Sequence, residues 1–231
     1  MKKISKLTVI TTLITLLPIV LGIALYDRLP EVVATHWNIH NRPDGWSSRA
    51  MAAFGMPGIL ALINLVCSIA MEIYPDSPFV KVRPVSIKAV GGWEKENKLA
   101  DKVSPRLMWL CRWIIPVLSL ILVPVMLYSA MGVSFDMGRI VCGILGIMFI
   151  IIGNYLPKCR RNGVVGIKIP WTLSSDENWD KTHRFAGFVW IVCGAAAIVG
   201  GWTKPVVAIV ALVAMILLPV VYSGILKHKG I

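Results

Sequence analysis

The chain has 231 residues, of which 56% are hydrophobic and only 16% are charged, and its formal net charge is +12. With a mean hydropathy of +0.72 it carries more apolar surface than a water-soluble domain of this length needs, so the composition points to an integral membrane protein. The Lys and Arg residues are scattered over several short loops rather than gathered on one motif, which argues against direct nucleic-acid binding.

Six apolar runs follow one another, at about residues 7–26, 51–74, 107–131, 138–156, 185–201 and 205–226. Each is close to the length needed to cross about 30 Å of hydrocarbon as a helix. The first is led by Lys2, Lys3 and Lys6. It is too long for a secretory signal, and no small-x-small cleavage site precedes Asp27 and Arg28, so it is read as a retained helix with a bend at Pro18. Proline also falls in other runs, at Pro57, Pro116, Pro124 and Pro219, where neighbouring helices can satisfy the freed carbonyls.

Orientation follows from charge. With the N-terminus inside, only Arg28, Arg42, Arg49, Arg139 and Lys204 of the 24 Lys and Arg residues fall outside. That asymmetry fits six spans with both termini in the cytoplasm. The expected fold is therefore an all-α integral membrane protein, a six-helix bundle in the cell membrane. It has one structured outer loop, 27–50, and two cytoplasmic loops, 75–106 and 157–184. The expected division is a two-helix unit at 1–74, a charged linker at 75–106 and a four-helix unit at 107–231. In the linker, Glu94, Lys98 and Asp101 are spaced to meet on a helix face after a flexible Gly91-Gly92 entry.

Chemistry within the runs is sparse. Asn64 and Asn154 are polar but uncharged, and Glu72 and Arg112 sit near run ends, where they can reach water. No Asp, Glu or Lys falls in mid-span, which argues against a proton-coupled pump. No His-Glu-x-x-His, Gly-x-Ser-x-Gly or P-loop spacing occurs, so the chain is read as a non-enzyme without a cofactor. Cys67, Cys111, Cys142, Cys159 and Cys193 form no Cys-x-x-Cys pair and are read as buried free thiols. Small residues mark helix contacts: Gly138, Cys142 and Gly146 on one face, and Gly187 with Gly194 on another.

Two polar strings stand out. In the outer loop His36, Trp37 and Asn38 are followed by Pro43, Asp44, Gly45 and Trp46. Pro43-Asp44-Gly45 has the residue order of a tight turn, and the loop is read as a ligand-binding surface with two indoles. His36 and His40 with Asp44 lack a third firm ligand, so no metal is assigned. In the second inner loop, residues 166–184, the candidates for partner binding are Gly166, Pro170, Trp171, Thr172, Ser174, Trp179, Thr182, His183 and Arg184. Pro170 biases Ile169 away from helix, and Ser174 with Glu177 has capping-box spacing for a helix beginning near Ser175. That helix would carry Trp179, Lys181, His183 and Arg184 into the fifth run. Trp37, Trp46, Trp109, Trp113, Trp171 and Trp179 fall at run boundaries and are read as headgroup-layer anchors, with His183 and Arg184 closing the loop at the same depth.

Both strings resemble the SdpI-like immunity proteins of Gram-positive bacteria. The resemblance is carried by Leu29-Pro30, Thr35-His36-Trp37-Asn38 and Pro43-Asp44-Gly45-Trp46, then by Gly166-Ile167, Pro170-Trp171-Thr172-Leu173-Ser174, Trp179 and Thr182-His183-Arg184. It covers about residues 15–65 and 110–220, and the 75–106 loop matches nothing in it. The resemblance implies a multi-pass protein that gives immunity to a secreted, membrane-active peptide toxin met on the outer face. It also implies a signalling role, in which a small cytoplasmic transcriptional repressor is drawn to the membrane. Membrane lipids are the remaining expected partner. The competing reading is a transporter or lipid-handling protein for amphipathic compounds.

Overall fold

The computed structural model describes residues 4–73, 105–162 and 165–231. The expected helix face of Glu94, Lys98 and Asp101 and the Gly91-Gly92 entry lie outside the described residues. Six helical segments among the described residues are long and apolar enough to cross a membrane: Lys6–Arg28, Met51–Ile73, Arg106–Ala130, Met137–Lys158, Asp176–Trp202 and Pro205–His228. The protein is a multi-pass membrane protein. The fifth segment begins at Asp176, well before the apolar run that announced it, because a capped polar turn feeds the helix.

In chain order the elements are α1 (Lys6–Leu16), α2 (Pro18–Leu25), β1 (Val32–Trp37), β2 (Pro43–Ser48), α3 (Met56–Ile73), α4 (Pro105–Ala130), α5 (Met137–Tyr155), α6 (Pro170–Ser174), α7 (Asp176–Trp202) and α8 (Pro205–His228). The bend foreseen at Pro18 is a break between α1 and α2. Pro18 has no N–H, and the Leu17 N–H takes the Ile14 carbonyl instead, at 3.1 Å. Pro116, Pro124 and Pro219 lie inside continuous helices. One face of the first span, with Val9, Ile10, Leu13, Leu17, Val20 and Ile23, is exposed and apolar, as a surface solvated by lipid requires.

The described residues pack as two compact units, one from parts of 1–72 and 111–144, the other from parts of 73–110 and 145–231. At the outer end of the first unit lies an apolar core of Leu25, Leu29, Val33, Ala52, Ala53, Val123, Met126 and Leu127, with Trp37 packed against it. Further along, the unit is held by polar groups. Thr8, Thr11 and Thr15 recur on one face of α1 and are fully buried. Asn64 of α3 donates to Thr11 Oγ1 and Thr12 Oγ1, both at 3.2 Å. Ser119 of α4 donates to Thr15 O at 2.8 Å, satisfying a carbonyl in the last turn of α1 that has lost its helical donor.

The inner end of this unit corrects one expectation. Glu72 and Arg112 do not reach for water; they pair with each other at 3.3 Å, with side chains 17% and 9% exposed. Ser5 and Thr8 donate their hydroxyls to Glu72 Oε1, and Arg112 also donates to Ser5 Oγ at 3.1 Å. Two opposite charges near the hydrocarbon are each other's cheapest solvent. The cluster joins ends of three spans that the charge asymmetry places inside.

In the second unit the helices touch through backbone. A Cβ built on Gly146 would lie 2.6 Å from Gly194 O, and one on Gly194 would lie 2.7 Å from Gly146 O. Two turns away the contact repeats, with Gly153 at 2.9 Å from Gly187 O and Gly187 at 2.7 Å from Gly153 O. Three of the glycines foreseen as contact points are used, and Gly153 completes the set. Gly138 takes no part, since a Cβ there would meet only Asp136. Of the thiols, Cys159 and Cys193 are buried and Cys67 is exposed on α3. α7 and α8 are further joined by the Phe185–Tyr222 stack and by Trp190 donating to Met215 O at 3.2 Å.

Removing one half of the inner ion pair should cost more than removing both. Glu72→Leu is expected to destabilise the protein by about 3–5 kcal/mol, because Arg112 is left buried and uncompensated. Glu72→Leu with Arg112→Leu should recover much of that loss in thermal unfolding of the detergent-solubilised chain.

Candidate functional site

The outer loop is a β-hairpin. β1 and β2 pair antiparallel, with Val32 opposite Ser48, Val33 opposite Ser47, Ala34 opposite Trp46, His36 opposite Gly45 and Trp37 opposite Pro43. The register leaves one extra residue on each strand, Thr35 and Asp44. Pro43-Asp44-Gly45 has the residue order of a tight turn, but the chain reverses at residues 38–42 instead. Asn38 explains the shift: its Oδ1 accepts the N–H groups of His40 at 2.9 Å and Arg42 at 3.1 Å. Such a side-chain-built turn outcompetes the Pro-Asp-Gly alternative, and Pro43 is left as the first residue of a strand.

The bulge at Asp44 brings its carboxylate onto His36 Nδ1. Gly45 is small because a Cβ there would sit 2.9 Å from His36 Cβ. The two indoles divide. Trp37 packs against the core beneath the hairpin, while Trp46 is 59% exposed. With Val32 at 60% exposed, and with His36, Asp44 and Ala34 nearby, Trp46 forms the outward face.

Asn41 was not among the foreseen residues, yet it fixes the hairpin. It stands at φ +57°, a left-handed conformation that Asn tolerates. From there Nδ2 donates to Phe135 O at 3.0 Å, and Oδ1 accepts the Met137 N–H at 2.8 Å. Met137 is the first residue of α5, so the tip of the hairpin caps a helix that starts 96 residues further along the chain.

The inner platform is built around Gly166, at φ +125°. A Cβ on it would lie 2.5 Å from His183 Nε2 and 2.8 Å from Trp179. Those two rings stack at 4.0 Å, one helical turn apart on α7, and both are buried. Trp179 Nε1 donates to Cys159 O at 2.7 Å. His183 Nε2 accepts the Ile167 N–H at 3.0 Å, and Nδ1 lies 2.8 Å from Trp179 O. Together these bonds assign the tautomer, with the proton on Nδ1 donated to the carbonyl. Trp179 and His183 have the run-boundary placement of headgroup anchors, yet both are buried. They are instead a wedge under the loop, bonded to the backbone of Ile167 and Cys159.

The remaining candidates sort in the same way. Thr172 is fully buried; its hydroxyl accepts the Ile169 N–H at 3.1 Å and lies 2.7 Å from Ile167 O, to which it donates. Thr182 donates to Asn178 Oδ1 at 3.1 Å. Asn178 also receives the Ser223 hydroxyl and donates to Ser223 O, tying α7 to α8. Trp171 is half-buried under the Lys227 ammonium, 5.1 Å from its ring. Pro170, Ser174 and Arg184 are exposed. The helix cap moves by one residue: Ser175, not Ser174, accepts the Asn178 N–H at 3.2 Å and starts α7, while Ser174 closes α6 by donating to Trp171 O. Extended backbone at Ser175 (φ −134°, ψ 125°) makes it the cap residue. Arg161 braces this corner with a two-pronged bond to Asp176 and a bond of 2.7 Å to Leu173 O.

Substitutions should separate the wedge from the rim. Gly166→Ala is expected to cost at least about 1–3 kcal/mol from its backbone conformation alone. His183→Ala should cost about 1–3 kcal/mol by orphaning the Ile167 N–H. Arg184→Ala should stay within about 0.5 kcal/mol of the parent in the same detergent unfolding assay.

Comparison with known proteins agrees with this geography. Residues 158–223, which contain the platform, match the SdpI/YfhL protein family. Residues 13–61, which contain the hairpin, match a domain of unknown function, DUF1648. Across nearly its whole length the chain is similar to "Immunity protein SdpI" of Bacillus subtilis (strain 168), with 24% identity over 223 residues, 96% of this chain and 95% of the relative. No solved structure matches. The two matched stretches contain the hairpin and the wedge, and the chain is a multi-pass membrane protein similar to SdpI over nearly its whole length.

Proposed function

We propose that this protein gives its cell immunity to a secreted, membrane-active peptide, which it binds at the outer hairpin without chemical turnover. The observation that carries the reading is the outward face of Trp46, Val32 and His36, an exposed aromatic and aliphatic surface held on a fixed two-stranded frame. Aromatic anchors on rigid elements are the residues that bind most strongly. The name of the relative, an immunity protein, points the same way.

A second half of the proposal concerns the inner platform. Its buried motif residues build the frame, so a cytoplasmic partner such as a small repressor would meet the rim. That rim is Pro170, Ser174 and Arg184 with the neighbouring acids Asp176, Glu177 and Asp180, all exposed.

Expression in a Gram-positive strain sensitive to a panel of secreted membrane-active peptides should raise survival against at least one of them. Trp46→Ala should then lower the protective concentration of that peptide by about tenfold or more with no loss of protein from the membrane. Unchanged killing by every peptide would refute immunity. Labelled peptide that crosses liposomes containing the protein would favour transport, since a sequestering receptor binds without flux.

A further inference from the structure

A crevice of about 330 Å³ opens in the second unit, lined by Arg106, Trp109 and Leu110 of α4 and by Tyr155 of α5. Arg106 stands at the inner start of one span and Tyr155 at the inner end of another, so the crevice lies at the depth of the cytoplasmic headgroups. Arg106 is exposed, and Trp109 is 50% exposed. The Lys158 ammonium lies 5.2 Å over the centre of the Tyr155 ring. Among the described residues, none that lines the crevice is acidic.

We infer that this crevice holds the headgroup phosphate of an anionic phospholipid from the inner leaflet. Arg106 meets the phosphate as a bidentate donor, and Lys158 adds a second positive charge beside it. Trp109, Leu110 and Tyr155 give an aromatic and aliphatic floor for the glycerol and the first part of an acyl chain. Charge decides between lipids. Arg106 is cationic, Lys158 brings a second cation to the Tyr155 ring, and the described lining holds no acid, so a headgroup of net negative charge is favoured, whereas a zwitterionic headgroup would bring its own ammonium against Arg106. Basic pockets at the inner ends of neighbouring spans are where such headgroups bind. The site is separate from the hairpin and from the Trp179–His183 wedge, and it does not depend on the immunity reading.

The test uses the full chain in nanodiscs containing equal amounts of phosphatidylglycerol and phosphatidylcholine, released into native mass spectrometry. The parent protein should retain phosphatidylglycerol in clear excess. Arg106→Gln and Lys158→Gln should each cut that excess about fivefold. Lys204→Gln, which removes an equal charge from the outer side, should leave it unchanged. Arg106 is exposed, so its variant should fold, and circular dichroism checks this. Equal retention of both lipids by the parent overturns the inference. So does a loss that Lys204→Gln reproduces, or a ratio that neither inner variant alters.

Discussion

The bond from the Ile167 N–H to His183 Nε2 is the constraint on which the inner platform rests. A loop entering the headgroup region brings backbone donors and acceptors to a place where water is scarce. Each must be met by the protein. His183 meets one of them only if its ring lies flat beneath the loop, and the stack with Trp179 keeps it there. Trp179 stays in place because Cys159 O takes its indole N–H. The loop can descend onto both rings only because residue 166 is glycine, where both the φ of +125° and the lack of space forbid a side chain. Indole, imidazole and glycine thus form one physical unit.

The first unit solves the same problem along a helix face. Thr8, Thr11 and Thr15 return their hydroxyls to the backbone or to neighbouring side chains, and Asn64 and Ser119 join from two other helices. Polar bonds of this kind hold spans together where hydrophobic association has little force, since lipid is as apolar as leucine. The Glu72–Arg112 pair ends the line at its inner limit. In the second unit backbone proximity takes over, and the two reciprocal glycine contacts between α5 and α7 replace side-chain glue with dispersion contacts along the helices.

These contacts also bear on topology. Asn41 joins two segments that charge places outside, and Ser5, Glu72 and Arg112 join three ends that charge places inside. Alternation of the first four spans is therefore reflected in packing that owes nothing to hydropathy. The direction across the membrane follows from the unequal distribution of Lys and Arg.

Span number, membrane class and the two motif-bearing loops were legible in the chain itself, because hydrocarbon demands long uncharged helices and charge asymmetry orients them. The helix start near Ser175 was legible to within one residue, because capping is local chemistry between neighbours. What the sequence could not decide was everything that depends on a distant partner. Pro43-Asp44-Gly45 looks like a turn until Asn38 builds a better one and Asn41 finds Met137. Trp179 and His183 look like headgroup anchors until Gly166 lets a loop descend onto them. Glu72 and Arg112 look solvated until helix packing makes each the other's counter-ion. Local patterns fix which segments form helices; which polar groups meet is settled only when those helices pack and exclude water.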